Sequence, residues 1–311
     1  MKNIAFFSES GFQGKVPRNH PNARTEIAWQ IALGSTHYPI QLLPLVQEKF
    51  DVGIVILPKK NIDVISQIDI IGGMRNCCNT ICFMQEGPCN YWEDYPLPHQ
   101  IWFYNTLMEM DLLFCHNDKD MKYFSGLTNK PCLWMPSLMI EDNIQTVKRG
   151  KNAIIGGNMC SWYGGFTSYI CAQEFGVPVY APSMGRKIEG EEQLDNLNHL
   201  SYMQWNEWIT TLSAFKYGVH LMRTQAAGTF ALNCAYHGIP CIGYHGLDTQ
   251  AYCHPFLTVH VDDVAGAINC VKKLKNDSKF YEDMSLYCKE RYKLMFSEKE
   301  FLKNMKDYGL I

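Results

Sequence analysis

Segments with strand patterns and segments with helix patterns alternate along this chain of 311 residues. Residues 3–10 (NIAFFSES) and 50–58 (FDVGIVILP) are short apolar runs that end in turn-forming residues, as buried strands do. Between them, residues 25–33 (TEIAWQIAL) repeat apolar residues at the spacing of one helix face. The pattern continues to residue 137, and it predicts an α/β fold in which helices cover both faces of a parallel sheet.

A polar stretch interrupts the alternation at residues 140–150 (IEDNIQTVKRG), and the next strand pattern begins at residue 152. We therefore predict an N-terminal domain over residues 1–138, a linker over 139–150 and a C-terminal domain over 151–311. The closing helices are candidates for packing back on the N-terminal domain. Two Rossmann-like parallel-sheet domains of this kind are expected to face each other across a cleft, with ligands at the carboxyl ends of the strands.

Composition narrows the class of protein. Apolar residues make up 47% of the chain, which is enough to fill two cores, and the net charge of −3 argues against a generally basic, nucleic-acid-binding surface. No segment reaches the roughly 18 apolar residues of a membrane span, and the N-terminal apolar run is too short for a signal peptide. The thirteen cysteines are scattered through apolar runs without a Cys-x-x-Cys pair. We expect a soluble, cytoplasmic protein with reduced thiols.

The segment RTQAAGTFALNCAYHGIPCIGY, residues 223–244, has the pattern of a turn, a helix and a strand. The unpaired amides and the dipole at the start of that helix favour an anion. Gly228 would let a phosphate oxygen approach the backbone, Thr229 would offer a hydroxyl, and Arg223 could pair with a diphosphate. The alternative is that Gly228 only makes a turn and Arg223 pairs with a surface carboxylate.

This segment resembles the donor-binding C-terminal module of GT-B glycosyltransferases. In that family a Glu-Gly-Phe-Gly turn precedes the helix, a second Glu follows eight positions after the first, and a Gly-hydrophobe-Pro strand comes next. Alignment on HGIPCIG places Gln225 and Asn233 at the two Glu positions and Gly228 at the second glycine. Both acids are thus replaced by amides, and Asn233 could still hydrogen-bond the ribose hydroxyls.

The resemblance covers residues 151–311 in sequence and the first half of the chain mostly by architecture. The C-terminal half resembles the retaining, nucleotide-sugar-dependent glycosyltransferases of the group 1 type. It implies a hexosyltransferase-like enzyme of GT-B architecture that moves a sugar from a nucleotide-sugar donor to an acceptor hydroxyl. The C-terminal domain would hold the donor and the N-terminal domain the acceptor. The nucleotide sugar would be a substrate, and no cofactor is expected.

Three further residues are candidates for the donor site. Gly157 lies in the glycine-containing loop GGNMCSWYGG, and Arg186 follows the next predicted strand. Together with Arg223, Arg186 could neutralise a diphosphate without a metal ion, so we predict no metal site. Trp205 is expected to end the third strand of the domain, where such enzymes place the nucleotide base; the alternative is a core tryptophan.

The loop after the first strand is long and basic, with Lys15, Arg18 and Arg24 as candidate acceptor-side residues. His20 in the same loop is the candidate general base, because an imidazole can take a hydroxyl proton near neutral pH. Glu86 follows another predicted strand and could orient the acceptor or act as the base. A solvated loop and a turn-capping Glu86 are the alternatives.

The acceptor is not identified by the sequence. A saccharide, a lipid-linked sugar and a modified base in phage-type DNA all suit the basic loop. Two other functions share the fold: a nucleotide-sugar epimerase, and a binding protein without catalytic activity. The oligomeric state is open.

Overall fold

The computed structural model describes residues 2–9, 12–57, 61–85, 87–142, 144–157, 159–182, 189–225 and 227–311. Two of the predicted site residues, Glu86 and Arg186, lie outside the described residues. The chain divides into two compact units. The first contains Met1–His20, Thr25–Pro136 and Phe301–Ile311, and the second contains Pro21–Arg24 and Ser137–Glu300.

The first unit is built on a seven-stranded sheet in the order β2-β3-β1-β4-β5-β6-β7. Its strands are β1 Ile4–Ser8, β2 Gly14–Lys15, β3 Thr36–Pro39, β4 Phe50–Val55, β5 Cys78–Met84, β6 Leu112–Cys115 and β7 Cys132–Trp134. Strand β2 runs antiparallel to β3, and the other pairs are parallel. The apolar run at residues 4–7 is fully buried because β1 lies between β3 and β4.

The helices of the first unit are α1 Thr25–Leu33, α2 Ile62–Ile65, α3 Ile70–Cys77, α4 Leu97–Glu109 and α5 Asp118–Thr128. The sequence pattern at residues 61–71 predicts one helix there, and this prediction is wrong. The Asp69 side chain accepts a hydrogen bond from the Gly72 amide at 2.9 Å and starts a new helix at Ile70. Strand β3 is an element that the sequence analysis missed.

The second unit contains a six-stranded, wholly parallel sheet in the order β10-β9-β8-β11-β12-β13. Its strands are β8 Ala153–Ile155, β9 Val179–Ala181, β10 Leu197–His199, β11 Tyr217–His220, β12 Cys241–Tyr244 and β13 Thr258–Val259. Two apolar clusters cover its faces. One contains Val219 and Ile242, and the other contains Ile154, Phe230 and Cys241.

The helices of the second unit are α6 Gly165–Gln173, α7 Trp205–Leu212, α8 Thr229–His237, α9 Asp248–Cys253, α10 Val264–Asn276 and α11 Ser278–Met295. The last helix, α12 Glu298–Asp307, starts in this unit, and from Phe301 onward it belongs to the first. Trp205 does not end a strand as the sequence pattern predicts. The strand before it ends at His199, and Trp205 is the first residue of α7, where the Glu207 carboxylate accepts a hydrogen bond from the Gln204 amide at 3.3 Å.

The thirteen cysteines are all free thiols, and ten of them are buried. In the described part of the chain, no helix combines the length and apolar character needed to cross a membrane.

Candidate functional site

The carboxyl edge of the second sheet carries the candidate site. Strands β8, β11 and β12 run parallel, so their carboxyl ends lie at the same edge. The connections after β8 and β11 lead into α6 and α8, which places the N-termini of these two helices near this edge.

Gly228 begins α8 with left-handed backbone angles, φ 66° and ψ 31°. A Cβ atom at this position would lie 2.1 Å from Thr249 Oγ1, and the Thr249 hydroxyl donates a hydrogen bond to the Gly228 carbonyl at 2.8 Å. Both the backbone angles and the close neighbour therefore require glycine. No side chain caps the helix here, so the first amides, from Thr229 onward, are available to an anion.

Helix α6 begins in the same way. Gly164 has φ 61°, no side chain caps the helix, and a Cβ atom at Gly164 would lie 2.1 Å from the Leu221 carbonyl oxygen. The Ser168 hydroxyl donates to the Gly164 carbonyl at 2.8 Å and accepts from the Leu221 amide at 2.9 Å. These bonds hold the first turn of α6 against the end of β11. Phe230, in the first turn of α8, packs edge-on against His220, the last residue of β11, with 5.3 Å between the ring centroids. The positive ends of α6 and α8 therefore both lie near the end of β11.

Arg223 lies on the turn that joins β11 to α8. Its Nε donates to Asp262 Oδ1 at 2.6 Å, and the pKa of Arg223 is raised by this partner. Both side chains are largely exposed. The structure thus gives Arg223 the surface carboxylate that the sequence analysis named as the alternative, and its contact with a diphosphate stays a prediction.

The other predicted donor-site residues have the following positions. Gly157 is buried, and a Cβ atom there would lie 2.7 Å from Tyr163 Cβ. Gln225 packs on Gly246, with its Nε2 2.3 Å from where a Cβ atom of that glycine would be. Its Oε1 has no hydrogen-bond partner among the described residues.

Asn233 is buried on α8, and Trp205 is buried at the start of α7. The Trp205 amide donates to Asn22 Oδ1 at 3.2 Å, which ties the segment Pro21–Arg24 to the second unit. Burial of the Trp205 ring agrees with the core alternative, and its contact with a nucleotide base stays a prediction.

His220 is a residue of this edge that the sequence analysis missed. It is the last residue of β11, it is only 6% exposed, and neither ring nitrogen has a hydrogen-bond partner in the described part of the chain. Burial lowers its pKa to about 4, so the imidazole is neutral at pH 7. Its only signal in the sequence is a histidine inside the apolar strand pattern GVHLMR.

The predicted acceptor-side residues divide between the two units. Lys15 lies in β2 and Arg18 follows it, and both are exposed. His20 is half-buried, and its amide donates to the Pro17 carbonyl at 3.0 Å. Arg24 is exposed and belongs to the segment Pro21–Arg24 of the second unit. Nothing in the described residues tests His20 as a base.

A pair of side chains that the sequence did not predict, Ser8 and His37, lies at the end of β1. The His37 imidazole is buried, and its Nδ1 donates to the Phe12 carbonyl at 2.7 Å, because a carbonyl can only accept. This leaves Nε2 to accept from the Ser8 hydroxyl at 3.0 Å. Burial lowers the pKa of His37, which favours this neutral form. The pair ties β1 and β3 to the start of the basic loop.

Among the described residues, no group of three or more His, Cys, Asp or Glu side chains is arranged to hold a metal ion. No protein-family profile and no curated protein matches the sequence.

Comparison with solved structures finds matches along the whole chain. Sucrose-phosphate synthase from Thermosynechococcus elongatus matches with a TM-score of 0.70 at 11% identity, over 99% of this chain and 98% of that chain. HepE from Anabaena, solved in complex with UDP-glucose, matches with a TM-score of 0.73 at 8% identity, over 100% of both chains. A trehalose-6-phosphate synthase studied with bisubstrate glycomimetics matches with a TM-score of 0.62 at 10% identity, over 99% and 93%. With one wholly parallel sheet, a second that is parallel except for β2, and these matches, the chain has the GT-B fold.

Proposed function

We propose that this protein is a glycosyltransferase that moves a sugar from a nucleotide-sugar donor to an acceptor hydroxyl. The observation that carries the proposal is that two helix N-termini without side-chain caps, at Gly164 and Gly228, both lie near the end of β11. A diphosphate is the group in a nucleotide sugar that such a pair of helix ends favours. The matched HepE structure contains UDP-glucose, which supports the same ligand class.

In this proposal the donor diphosphate lies at the start of α8, near Gly228 and Thr229, with Gly157 nearby. Arg223 and Arg186 are its side-chain partners. Transfer breaks the bond between the sugar C1 and a phosphate oxygen, so negative charge grows on the leaving nucleoside diphosphate. Helix dipoles and guanidinium groups stabilise that charge without a metal ion.

The amides of Gln225 and Asn233 are proposed to contact the sugar and the ribose, and Trp205 to lie near the base. Lys15 and Arg18 of the first unit, together with Arg24 of the second, would attract an anionic acceptor. His20, or Glu86, would take the acceptor proton. We further propose that the enzyme is hexosyltransferase-like, retaining and metal-independent, and that it is cytoplasmic. The proposed acceptor is a saccharide, a lipid-linked sugar or DNA.

A thermal-shift screen tests donor binding directly. UDP, GDP, ADP and dTDP, and their common sugar derivatives, are titrated against the protein, since a ligand that binds only the folded state raises the melting temperature with concentration. We expect one nucleotide family to raise it and the others not. A nucleotide-release assay with the selected sugar then tests transfer. If no nucleotide shifts the melting temperature at millimolar concentration, donor binding is refuted.

The products separate the remaining functions. A glycosylated acceptor supports the transferase. A free sugar or nucleotide sugar whose configuration differs from that of the donor at one carbon, with no glycosylated product, indicates the epimerase alternative. Binding without any turnover identifies a nucleotide-sugar-binding protein.

A further inference from the structure

Three buried histidines of the second unit differ in whether their ring nitrogens have hydrogen-bond partners. Burial lowers the pKa of His220, His237 and His254 to about 4, so all three are neutral at pH 7. His254 Nε2 donates to the Ala231 carbonyl at 3.0 Å, and its Nδ1 accepts from the Cys241 amide at 3.3 Å. His237 Nε2 donates to a backbone carbonyl at 2.8 Å. Of the three, His220 is the one for which the described part of the chain supplies no hydrogen bond to either nitrogen.

The His220 ring lies near the starts of both helices, and the ring of Tyr163, which precedes α6, is 6.4 Å from it between centroids. A Cβ atom on Gly156 would be 2.4 Å from His220 Cγ, so the ring sits directly against the loop that leads to α6. On its other side, the Phe230 ring in the first turn of α8 lies 5.3 Å away, edge on. Side chains alternate along β11, and His220 points away from the cluster that contains Val219.

An imidazole buried without a hydrogen bond destabilises the folded protein, since it has lost water and gained no partner. A phenylalanine would fill this aromatic environment without that cost. The position of the ring, at the strand end where two helix dipoles meet, makes an anionic oxygen the partner that best explains a polar side chain here.

Resting on the proposed function, we propose that His220 binds the donor by giving a hydrogen bond from its ring N–H to a phosphate oxygen of the diphosphate. The neutral ring adds a donor to the site without adding charge. His220 would thus distinguish donors that carry a diphosphate from nucleosides without one.

The experiment compares three purified variants with the wild type: His220→Phe, His220→Gln and the control His254→Phe. The probes are the nucleoside diphosphate that gives the largest thermal shift with the wild type, and its parent nucleoside. For His220→Phe we expect the diphosphate Kd to rise about tenfold or more, as when a charged hydrogen-bond partner is lost. The nucleoside Kd should stay within about twofold, and the melting temperature without ligand should equal or exceed that of the wild type. His220→Gln, which keeps an N–H donor, should restore part of the diphosphate affinity.

The control should behave in the opposite way. His254→Phe leaves the Cys241 amide and the Ala231 carbonyl unpaired, so its melting temperature should fall while the folded protein binds the diphosphate as the wild type does. If His220→Phe binds the diphosphate with unchanged affinity, the inference is overturned and the glycosyltransferase proposal stands. If His220→Phe and His220→Gln melt as early as the control, His220 has a structural partner and the inference is likewise overturned. A wild type that binds no nucleoside diphosphate refutes both proposals together.

Discussion

Replacing Gly228 by alanine should destabilise the protein by about 2–4 kcal/mol, and the structure separates the cause into two parts. The backbone angle of φ 66° costs a residue with a Cβ atom about 1–2 kcal/mol. The new Cβ atom would also lie 2.1 Å from Thr249 Oγ1. Thr249 is buried and branched at Cβ, so its hydroxyl can move away only by giving up its bond to the Gly228 carbonyl, which costs about 1 kcal/mol or more.

The matched control is Gly176→Ala in the same unit. Gly176 has nearly the same backbone angle, φ 70°, and a Cβ atom there would meet only the flexible end of Lys275, at 3.2 Å. Gly176→Ala should therefore lose only the conformational part, about 1–2 kcal/mol. The double variant Gly228→Ala with Thr249→Ala removes the clashing oxygen, so the two effects should be less than additive by about 1 kcal/mol.

Urea unfolding followed by circular dichroism, in the absence of nucleotide, measures these free energies. Equal losses for Gly228→Ala and Gly176→Ala would show that crowding by Thr249 contributes nothing. Strict additivity in the double variant would lead to the same conclusion. Either result would refute the claim that the start of α8 is built around a glycine for steric reasons.

Other predictions concern binding and turnover. Arg223→Ala should weaken nucleotide-sugar binding about tenfold or more by calorimetry, whereas Asp262→Asn, which removes its competing partner, should not weaken it; unchanged affinity in Arg223→Ala would exclude that residue from the site. Activity should persist in excess chelator, and loss that magnesium or manganese restores would show metal dependence. If His20 is the general base, His20→Ala should lower kcat about 100-fold. A kcat equal to that of the wild type would show that another residue is the base. The double variant Lys15→Ala with Arg18→Ala should raise the acceptor KM and leave donor affinity unchanged. In the wild type, an acceptor KM that does not rise with salt concentration would argue against DNA as the acceptor.

The fold could be predicted from the sequence wherever periodicity and capping residues agree. Residues 264–276 (VAGAINCVKKLKN) have the pattern of a helix, and α10 occupies the same residues, Val264–Asn276. The Asp263 side chain caps it by accepting from the Gly266 amide at 2.8 Å. Strand β3 escaped prediction because it is four residues long and directly follows a helix. Trp205 was placed on a strand because an aromatic residue at the end of an apolar run suits a strand and a helix start equally well.

The site could be predicted only in part. The glycine of α8 stands out because a small-residue turn precedes a helix, and the structure gives Gly228 the left-handed backbone that this position needs. The ion pair of Arg223 with Asp262 joins residues 39 positions apart, and the Ser8 and His37 pair is 29 apart. No local pattern encodes such contacts. His220 was missed because a histidine in an apolar strand looks the same whether or not the folded chain gives its nitrogens a partner.

The return of the chain to the first unit has a consequence for biosynthesis. Phe301 and Met305 are buried, and residues 301–311 are part of the same compact unit as strands β1 to β7. On the ribosome, the N-terminal sheet emerges early but must wait for these residues until the whole second unit has been made. The first half of the nascent chain is therefore a candidate client for chaperones. A fragment that stops at residue 136 would expose the surface that α12 covers, and expressing the first unit alone would require joining residues 301–311 to it through a designed linker.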